Sequence, residues 1–328
     1  MPANLTPEYF EAEKEYKGAK TSEDKLTCLQ RMLSVIPKHK GTDKLQADIK
    51  RRIAQLKDRL EHRAKKKGPS FRVRPEGAGQ IMLAGPPNSG KSALLDALTN
   101  AEPEVAQYPF TTREPAPGMV PYRDIQIQLV DLPPVSRDYC ESFVFDNIKA
   151  CDGVLVVIDL ATGDPVDEFK QVLEILGEKR IELVPPDEEV PELEAGVPPK
   201  RAILVLNKAD MDPDGELLEL VREMLETDLP VHVVSAREKS GLDSLAEAMF
   251  NMLHVIRVYS KQPGKDPDLD APFTTPIGTD VLGFATQVHK DFADNLKEAR
   301  IWGSAKFDGQ VVQRDHILQD GDIVELSI

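Results

Sequence analysis

Aromatic residues and cysteines are scarce in this chain of 328 residues. Aromatic residues make up 5% of it, and it contains a single tryptophan. The three cysteines, Cys28, Cys140 and Cys151, lie far apart and form no metal-ligand spacing, which favours reduced structural thiols. The longest apolar runs, such as residues 153–158, have the length of a strand and are too short to cross a bilayer. The N-terminal residues are polar and lack the apolar stretch of a signal peptide. We therefore expect a cytoplasmic protein that does not insert into membranes.

The charge is unevenly distributed along the chain. The formal net charge is −15. Residues 1–70 carry 17 basic and 10 acidic side chains, a net of +7, so the remaining residues carry a net of −22. A basic arm on an acidic body indicates that only the arm meets a polyanion such as RNA.

Residues 85–92 read Gly-Pro-Pro-Asn-Ser-Gly-Lys-Ser and match the phosphate-binding motif G-x-x-x-x-G-K-[ST]. An apolar run precedes the motif and helix-forming residues follow it, so it is placed between a strand and a helix. In that position its glycines allow backbone N–H groups to surround a phosphate, and the helix dipole adds to the field. Lys91 is expected to reach the β- and γ-phosphates, and Ser92 to hold Mg²⁺. The other expected nucleotide contacts in this segment are Gly85, Asn88, Ser89, Gly90 and Ala93.

A second motif, Asn207-Lys-Ala-Asp210, predicts recognition of guanine. The Asp210 carboxylate is suited to accept hydrogen bonds from N1 and the N2 amine of guanine. Adenine lacks both donors and would leave the carboxylate unpaired, which can produce strong selectivity. Ser235 and Ala236 follow the next apolar run, where the Ala236 N–H can support the guanine O6. We also count Asn207 and Lys208 as GTP-binding residues.

Two further segments predict contacts with Mg²⁺ and the γ-phosphate. Asp131 ends an apolar run, and its carboxylate is suited to hold a water of the metal shell. The segment 107–118 is rich in Pro, Thr and Gly, which is typical of a mobile loop. Within it, Thr112 is the expected metal contact and Thr111 the alternative. Arg113 is in reach of the phosphates, although a solvated loop arginine is the simpler interpretation.

The order of apolar and helical runs predicts an α/β fold in three parts. Residues 1–70 are predicted to form a basic helical hairpin, residues 71–254 a P-loop GTPase core, and residues 255–328 a separate C-terminal domain. Alternating strands and helices in the core predict a mostly parallel sheet with helices on both faces. Ligands bind at the carboxyl ends of the strands in such folds, which is where the motifs fall.

The predicted N-terminal hairpin has one charged face. Its second helix is expected to begin near Thr42, with Leu45, Ile49 and further apolar residues on one side. The opposite side carries basic residues that continue into Lys65-Lys-Lys67. This face is either a contact with RNA or the ribosome through phosphates, or a solvated surface.

These motifs together resemble those of a known family. Tyr108-Pro-Phe-Thr-Thr112 and Gly118-Met-Val120 look like the Obg superfamily of GTPases, and residues 36–42 look like its developmentally regulated GTP-binding (DRG) branch. Residues 274–280 and 316–326 are similar to a TGS domain, a small ubiquitin-like β-grasp module. The resemblance implies slow hydrolysis of GTP by a molecular switch on or near the ribosome. In such a switch, GTP and Mg²⁺ order Thr112 and the loop after Asp131, and hydrolysis releases them.

The chain departs from the family at Pro134, and the next residue, Val135, is apolar as in the Obg-like families but unlike many other GTPases. Pro134 stands where the family has a glycine whose N–H contacts the γ-phosphate, and proline has no N–H. Val135 stands where many GTPases have a glutamine that orients the attacking water. Asn88 is the position that helps bind K⁺ in several related GTPases, although an asparagine there also suits the loop turn. We therefore keep catalytic residues open, with Lys91, Thr112 and Asn88 as candidates.

Pro134 and Val135 support a second hypothesis, a GTP-gated RNA-binding scaffold with little or no turnover. For the TGS segment, we consider contact with RNA or a ligand through Lys290, Lys297 and Arg300 on its helical side. Residues 255–328 carry 8 basic and 12 acidic side chains, so a contact with a protein partner is at least as good an explanation.

Overall fold

The computed structural model describes residues 7–18, 22–36, 42, 46–53, 71–99, 114–137, 140–190 and 196–327. It divides into two compact units, residues 1–70 and residues 71–328. Within the described residues, no helix is long and apolar enough to cross a membrane.

The N-terminal unit is helical. Helix α1 spans Pro7–Gly18, α2 spans Ser22–Val35, and α3 spans residues 46–53. An apolar cluster joins the three helices through Tyr9, Ala12, Leu29, Met32, Ile36 and Ile49. The Gln46 N–H donates to the Thr42 carbonyl at 2.9 Å, which is consistent with a helix that begins near Thr42.

Two arginines of the predicted charged face, Arg51 and Arg52, lie on the described part of α3. Arg51 and Arg52 both form ion pairs with Asp48 at 2.6 and 2.8 Å, so two of its charges are partly neutralised within the helix. Leu45 and the Lys65–Lys67 run lie outside the described residues.

The second unit contains a seven-stranded sheet, which confirms the predicted α/β class. Its strands are β1 (Gln80–Ala84), β2 (Ala116–Tyr122), β3 (Ile125–Asp131), β4 (Gly153–Asp159), β5 (Leu183–Val184), β6 (Lys200–Asn207) and β7 (Val231–Val233). Their order in the sheet is β2-β3-β1-β4-β6-β5, with β7 also paired to β6. All pairings are parallel except the one between β2 and β3.

Helices cover both faces of this sheet. They are α4 (Lys91–Thr99), α5 (Ser142–Ala150), α6 (Pro165–Glu178), α7 (Glu216–Met224) and α8 (Leu242–Leu253). One apolar cluster joins the sheet to α5 and α6, for example through Ile148 and Phe169. The other joins the opposite face to α4 and α8 through Leu94 and Met249. Adjacent strand residues, such as Met82 and Leu83, enter opposite clusters because side chains alternate along a strand.

The sequence interpretation missed three elements of the core. Strand β2 begins at Ala116, so the last residues of the predicted mobile loop 107–118 are paired with β3. Strand β5 is only two residues long and gives no pattern. Helix α5 follows directly on the loop after Asp131 and has no strong N-cap side chain, since Glu141 makes no capping hydrogen bond.

The C-terminal part has a separate five-stranded sheet. Its elements are β8 (Val255–Lys261), β9 (Phe273–Pro276), α9 (Val281–Val288), α10 (Lys290–Asn295), β10 (Glu298–Trp302), β11 (Gln310–Val312) and β12 (Asp322–Ser327). The strand order is β11-β10-β12-β8-β9. Strands β8 and β12 are parallel neighbours, and the helices pack on one face of the sheet, as expected for a β-grasp domain.

One expectation for this part, a helical side that carries Lys290, Lys297 and Arg300, was wrong in detail. The helical region consists of two helices that are divided at His289, which is extended and whose ring accepts the Asp291 N–H. Arg300 lies on strand β10 and pairs with Glu298, whereas Lys290 lies on α10. The three basic residues therefore do not share a helical surface.

Candidate nucleotide-binding site

The loop between β1 and α4 has the backbone that its glycines allow. Gly85 has φ 157°, and a Cβ there would lie 2.2 Å from the Val157 carbonyl oxygen. Gly90 has φ 87°, and its Cβ would lie 2.3 Å from the Asn207 side-chain nitrogen. Both positions exclude other residues because neighbouring strands approach the loop so closely. The loop is therefore shaped by contacts with β4 and β6 as well as by its own sequence.

Lys91 begins α4 and folds its side chain back over the loop. Its Nζ donates to the carbonyls of Gly85 and Pro86 at 3.1 and 2.9 Å. Burial lowers the pKa of Lys91, and the nearby Asp131 carboxylate opposes this shift. The ammonium group is thus held inside the loop, where a phosphate oxygen can replace the carbonyls as its partner.

Asp131 and Ser92 meet at the end of β3. The Ser92 hydroxyl donates to Asp131 Oδ2, while the other carboxylate oxygen, Oδ1, is buried and has no hydrogen-bond partner. Burial raises the pKa of Asp131, and the Ser92 hydrogen bond and the Lys91 charge oppose the shift. A buried carboxylate oxygen without a partner, beside a hydroxyl, is an oxygen donor set of the kind that Mg²⁺ prefers. The residues present therefore fit this metal.

The Asn207 side chain connects the two predicted binding motifs. Its Nδ2 donates to the Ser89 carbonyl at 3.0 Å, and its Oδ1 accepts the Ala236 N–H at 3.1 Å. Asn207 is fully buried at the end of β6. The Asn207 side chain therefore connects the phosphate-binding loop to the Ser235–Ala236 turn through two hydrogen bonds.

Asp210 lies beside that turn with its carboxylate held by neighbours. The Ser235 hydroxyl donates to Asp210 Oδ1 at 2.6 Å, and the Arg237 guanidinium is 3.8 Å from Oδ2. The Ser235 hydroxyl also accepts the Glu238 N–H at 3.0 Å, which adds a hydrogen bond within the turn. This arrangement fixes the orientation of the carboxylate that would face guanine.

Lys208 contributes to the site through its backbone and its charge. Its φ of 65° is left-handed, which turns the chain between Asn207 and Asp210. Its Nζ forms an ion pair with Asp159 at 2.7 Å at the end of β4. A Cβ on Gly90 would come within 3.9 Å of the Lys208 side chain, so its aliphatic part runs beside the loop. No motif in the sequence indicated that Asp159 pairs with Lys208.

The loop that follows Asp131 is closed against the phosphate-binding loop. The Val135 N–H donates to the Gly85 carbonyl at 3.0 Å, and the Val135 side chain is 1% exposed. The side chain belongs to the apolar cluster that also contains Val144 and Phe145. Position 135 therefore faces the core and away from the place where a water would attack a phosphate.

Three further predicted residues, Asn88, Ser89 and Ala93, lie in the phosphate-binding loop and at the start of α4. Asn88 is exposed and has φ 64°, a conformation that asparagine adopts readily, so a turn role explains it as well as a K⁺ ligand does. Ser89 is buried, and its hydroxyl donates to the Pro86 carbonyl. Ala93 is exposed in the first turn of α4. Thr111, Thr112 and Arg113 lie outside the described residues.

Comparisons with known proteins agree with this geometry. Residues 80–208 match the family model described as 50S ribosome-binding GTPase, and residues 256–328 match the TGS domain model. The two matched ranges contain the phosphate-binding loop and the C-terminal sheet, respectively.

Curated relatives cover most of the chain. The chain is 28% identical to Developmentally-regulated G-protein 2 of Arabidopsis thaliana, over 88% of this chain and 87% of that protein. It is 26% identical to Ribosome-interacting GTPase 1 of Saccharomyces cerevisiae, over 93% of this chain and 99% of that protein. Among solved structures, the Schizosaccharomyces pombe YchF GTPase aligns with a TM-score of 0.54 at 13% identity, over 77% of this chain and 99% of that chain, which shows a common fold.

Proposed function

We propose that this chain, an Obg-type GTPase of the DRG kind with a C-terminal TGS domain, binds GTP with Mg²⁺ and hydrolyses it slowly as a molecular switch at the ribosome or on RNA. The observation that carries the proposal is the arrangement of Lys91, Ser92 and Asp131 at the carboxyl ends of β1 and β3. It combines a buried ammonium group with a carboxylate oxygen that has no partner in the protein.

In the proposed reaction, the protein positions GTP and stabilises charge. The phosphate-binding loop offers its N–H groups to the β- and γ-phosphates, and Lys91 exchanges its carbonyl partners for phosphate oxygens. Ser92 and Asp131 would hold Mg²⁺, with Thr112 as the proposed further ligand, and the bound metal would supply positive charge beside the phosphate oxygens. The Asp210 carboxylate and the Ala236 N–H select guanine.

Slow hydrolysis follows from what the site lacks within the described residues. Val135 faces the core, so its position offers no side chain to orient the attacking water. Asn88 is the proposed K⁺ ligand, and K⁺ would supply the positive charge that an arginine provides in other GTPases. Without such a charge, positioning by the loop and the metal is the remaining contribution to rate.

The ribosome or RNA is the proposed partner of the N-terminal unit. Residues 1–70 carry a net charge of +7 while the rest of the chain is acidic, and a relative of matching length is named a ribosome-interacting GTPase. Work at the ribosome implies a cytoplasmic location. Under the same proposal, residues 1–70, 71–254 and 255–328 form the arm, the GTPase core and the TGS domain, and the last is a candidate site for a protein partner.

Single-turnover hydrolysis of GTP tests the enzymatic proposal. We expect cleavage in K⁺ buffer that is slower in Na⁺ buffer, together with tighter binding of GTP and GDP than of ATP. The variant Asn88→Ala should lose the difference between the two salts. If guanine nucleotides bind tightly and no phosphate is released in either salt, with or without ribosomes, the chain is instead a GTP-gated RNA-binding scaffold. That second candidate is favoured by Pro134 and Val135.

A further inference from the structure

We infer that Pro134 and Val135 hold the loop after Asp131 in one closed conformation, so that this loop does not distinguish GTP from GDP. The inference rests on the proposed function in one respect, that a guanine nucleotide binds at Lys91. It concerns a different property, namely which part of the site detects the third phosphate.

The backbone of the loop has no donor to offer at the critical positions. Pro133 and Pro134 are both imino acids and have no N–H. The next N–H, that of Val135, already donates to the Gly85 carbonyl at 3.0 Å. A γ-phosphate oxygen would have to displace this hydrogen bond before it could gain one from Val135.

The Val135 side chain opposes any such displacement. It is 1% exposed and belongs to the same apolar cluster as Leu132, Val144 and Phe145. Moving the N–H toward the nucleotide would pull the valine out of this cluster and expose apolar surface to water. One conformational change would therefore break a hydrogen bond and lose packing.

The two prolines also restrict the path of such a change. Each fixes its own φ near −65°, and Pro134 restricts Pro133 to extended backbone. A glycine at position 134 would permit the peptide flip that a switch loop needs, because glycine adopts positive and negative φ with similar ease. Beyond the loop, Arg137 forms an exposed ion pair with Glu174 on α6.

Asp131 does not depend on this loop movement. Its carboxylate lies at the end of β3 and is positioned by the Ser92 hydroxyl. The metal contact and the detection of the third phosphate are thus separated in this chain. Any difference between the GTP and GDP states has to arise from groups other than residues 133–135.

Hydrogen exchange at the Val135 amide provides the direct test. The full chain would be labelled with ¹⁵N-valine, and the Val135 signal assigned with the variant Val135→Ile. We expect equal protection of this amide with no nucleotide, with GDP and with a non-hydrolysable GTP analogue. A change of more than tenfold in its protection between GDP and the analogue would overturn the inference.

Affinity measurements test the role of Pro134. We expect Pro134→Gly to raise the preference for the GTP analogue over GDP by about tenfold, the effect of one hydrogen bond to a charged oxygen. The matched control Pro133→Ala should change this preference by less than about threefold. A change of that size is no larger than the effect of a single weak contact. An unchanged preference in Pro134→Gly would show that Pro134 does not cause the loss of discrimination.

The two proposals fail in distinguishable ways. If no guanine nucleotide binds, the proposed function is wrong, and the Val135 amide still reports on the loop in the nucleotide-free protein. Rapid exchange of that amide would then overturn the closed loop independently.

Discussion

Arg257 on β8 donates a hydrogen bond to Asp124 in the turn between β2 and β3, at 2.6 Å, and so joins the C-terminal sheet to the large sheet. The guanidinium is almost completely buried and also contacts Asp320 through Nε and Nη2 at 3.0 and 2.7 Å. The Tyr259 hydroxyl donates to the second oxygen of Asp124. One arginine therefore pairs with carboxylates beside both sheets, and the C-terminal end of β2 lies at the same junction.

The variant Asp124→Ala should destabilise residues 71–328. We expect a loss of about 2 kcal/mol in the free energy of unfolding, because a buried guanidinium loses one of its two carboxylate partners. Urea unfolding followed by tryptophan fluorescence would measure the effect, since Trp302 lies in the C-terminal sheet. The control is Glu174→Ala, which removes the exposed ion pair with Arg137 and should cost less than about 1 kcal/mol. Equal costs for the two variants would contradict the importance of the junction.

The same junction should make stability depend on pH in the acidic range. Burial raises the pKa of Asp124, but hydrogen bonds from Tyr259 and Arg257 outweigh it, so the pKa lies below its ordinary value. Asp320 is shifted in the same direction by Arg257 against burial. A depressed folded-state pKa stabilises the protein above the unfolded pKa of about 4, and this stability is lost as the pH falls through the folded values. Acid titrations of unfolding should show a smaller pH dependence for Asp124→Asn than for the parent protein.

Replacing Lys91 should nearly abolish nucleotide binding. In Lys91→Ala the loop loses the only side-chain cation that contacts its carbonyls among the described residues. We expect at least a hundredfold loss of GTP affinity, since about 3 kcal/mol is a reasonable loss for a buried charge contact to phosphate. Isothermal titration with GTP and GDP would measure it, with circular dichroism to check the fold. Unchanged affinity would mean that the nucleotide binds elsewhere.

Replacing Asp210 should change base selectivity more than affinity for phosphate. In Asp210→Asn, an NH₂ group replaces one of the two carboxylate oxygens. This group donates hydrogen bonds and cannot accept one from guanine, so the side chain no longer pairs with both guanine donors. We expect the preference for GTP over ATP to fall by about two orders of magnitude, as two hydrogen bonds to a carboxylate are lost. Competition binding with GTP, ATP and ITP would show this, because ITP lacks the N2 amine. A preference equal to that of the parent protein would exclude Asp210 from base recognition.

A glutamine at position 135 should not accelerate hydrolysis. Although the position corresponds to the water-orienting glutamine of many GTPases, the Val135 side chain faces the core. We expect Val135→Gln to lower the free energy of unfolding by about 2 kcal/mol, because an amide would be buried without partners. Single-turnover hydrolysis should remain within twofold of the parent rate. The variant Val135→Ala separates lost packing from the added polar group, and a tenfold faster reaction in Val135→Gln would show that the side chain reaches the phosphates.

The strand-loop-helix arrangement around the phosphate-binding motif was predictable because it depends on a short segment with fixed spacing. Gly85 to Ser92 needs only a strand before it and a helix after it, and local patterns showed both. Continuous apolar runs predicted the mostly parallel sheet for the same reason. Strand β2 was missed because Pro117, Gly118 and Pro121 are poor strand residues, and among the described residues it is an edge strand that pairs with β3 alone.

The α/β class and the order of the motifs could be read from local patterns along the chain, because each depends on residues that are close in sequence. The partners of the charged and polar groups depend instead on long-range packing. Asn207 reaches Ser89 across 118 positions, and Arg257 reaches Asp124 across 133. The direction of the Val135 side chain likewise depends on a helix that the sequence did not reveal. Contacts over such distances depend on how whole elements pack, and no spacing within a motif contains that information.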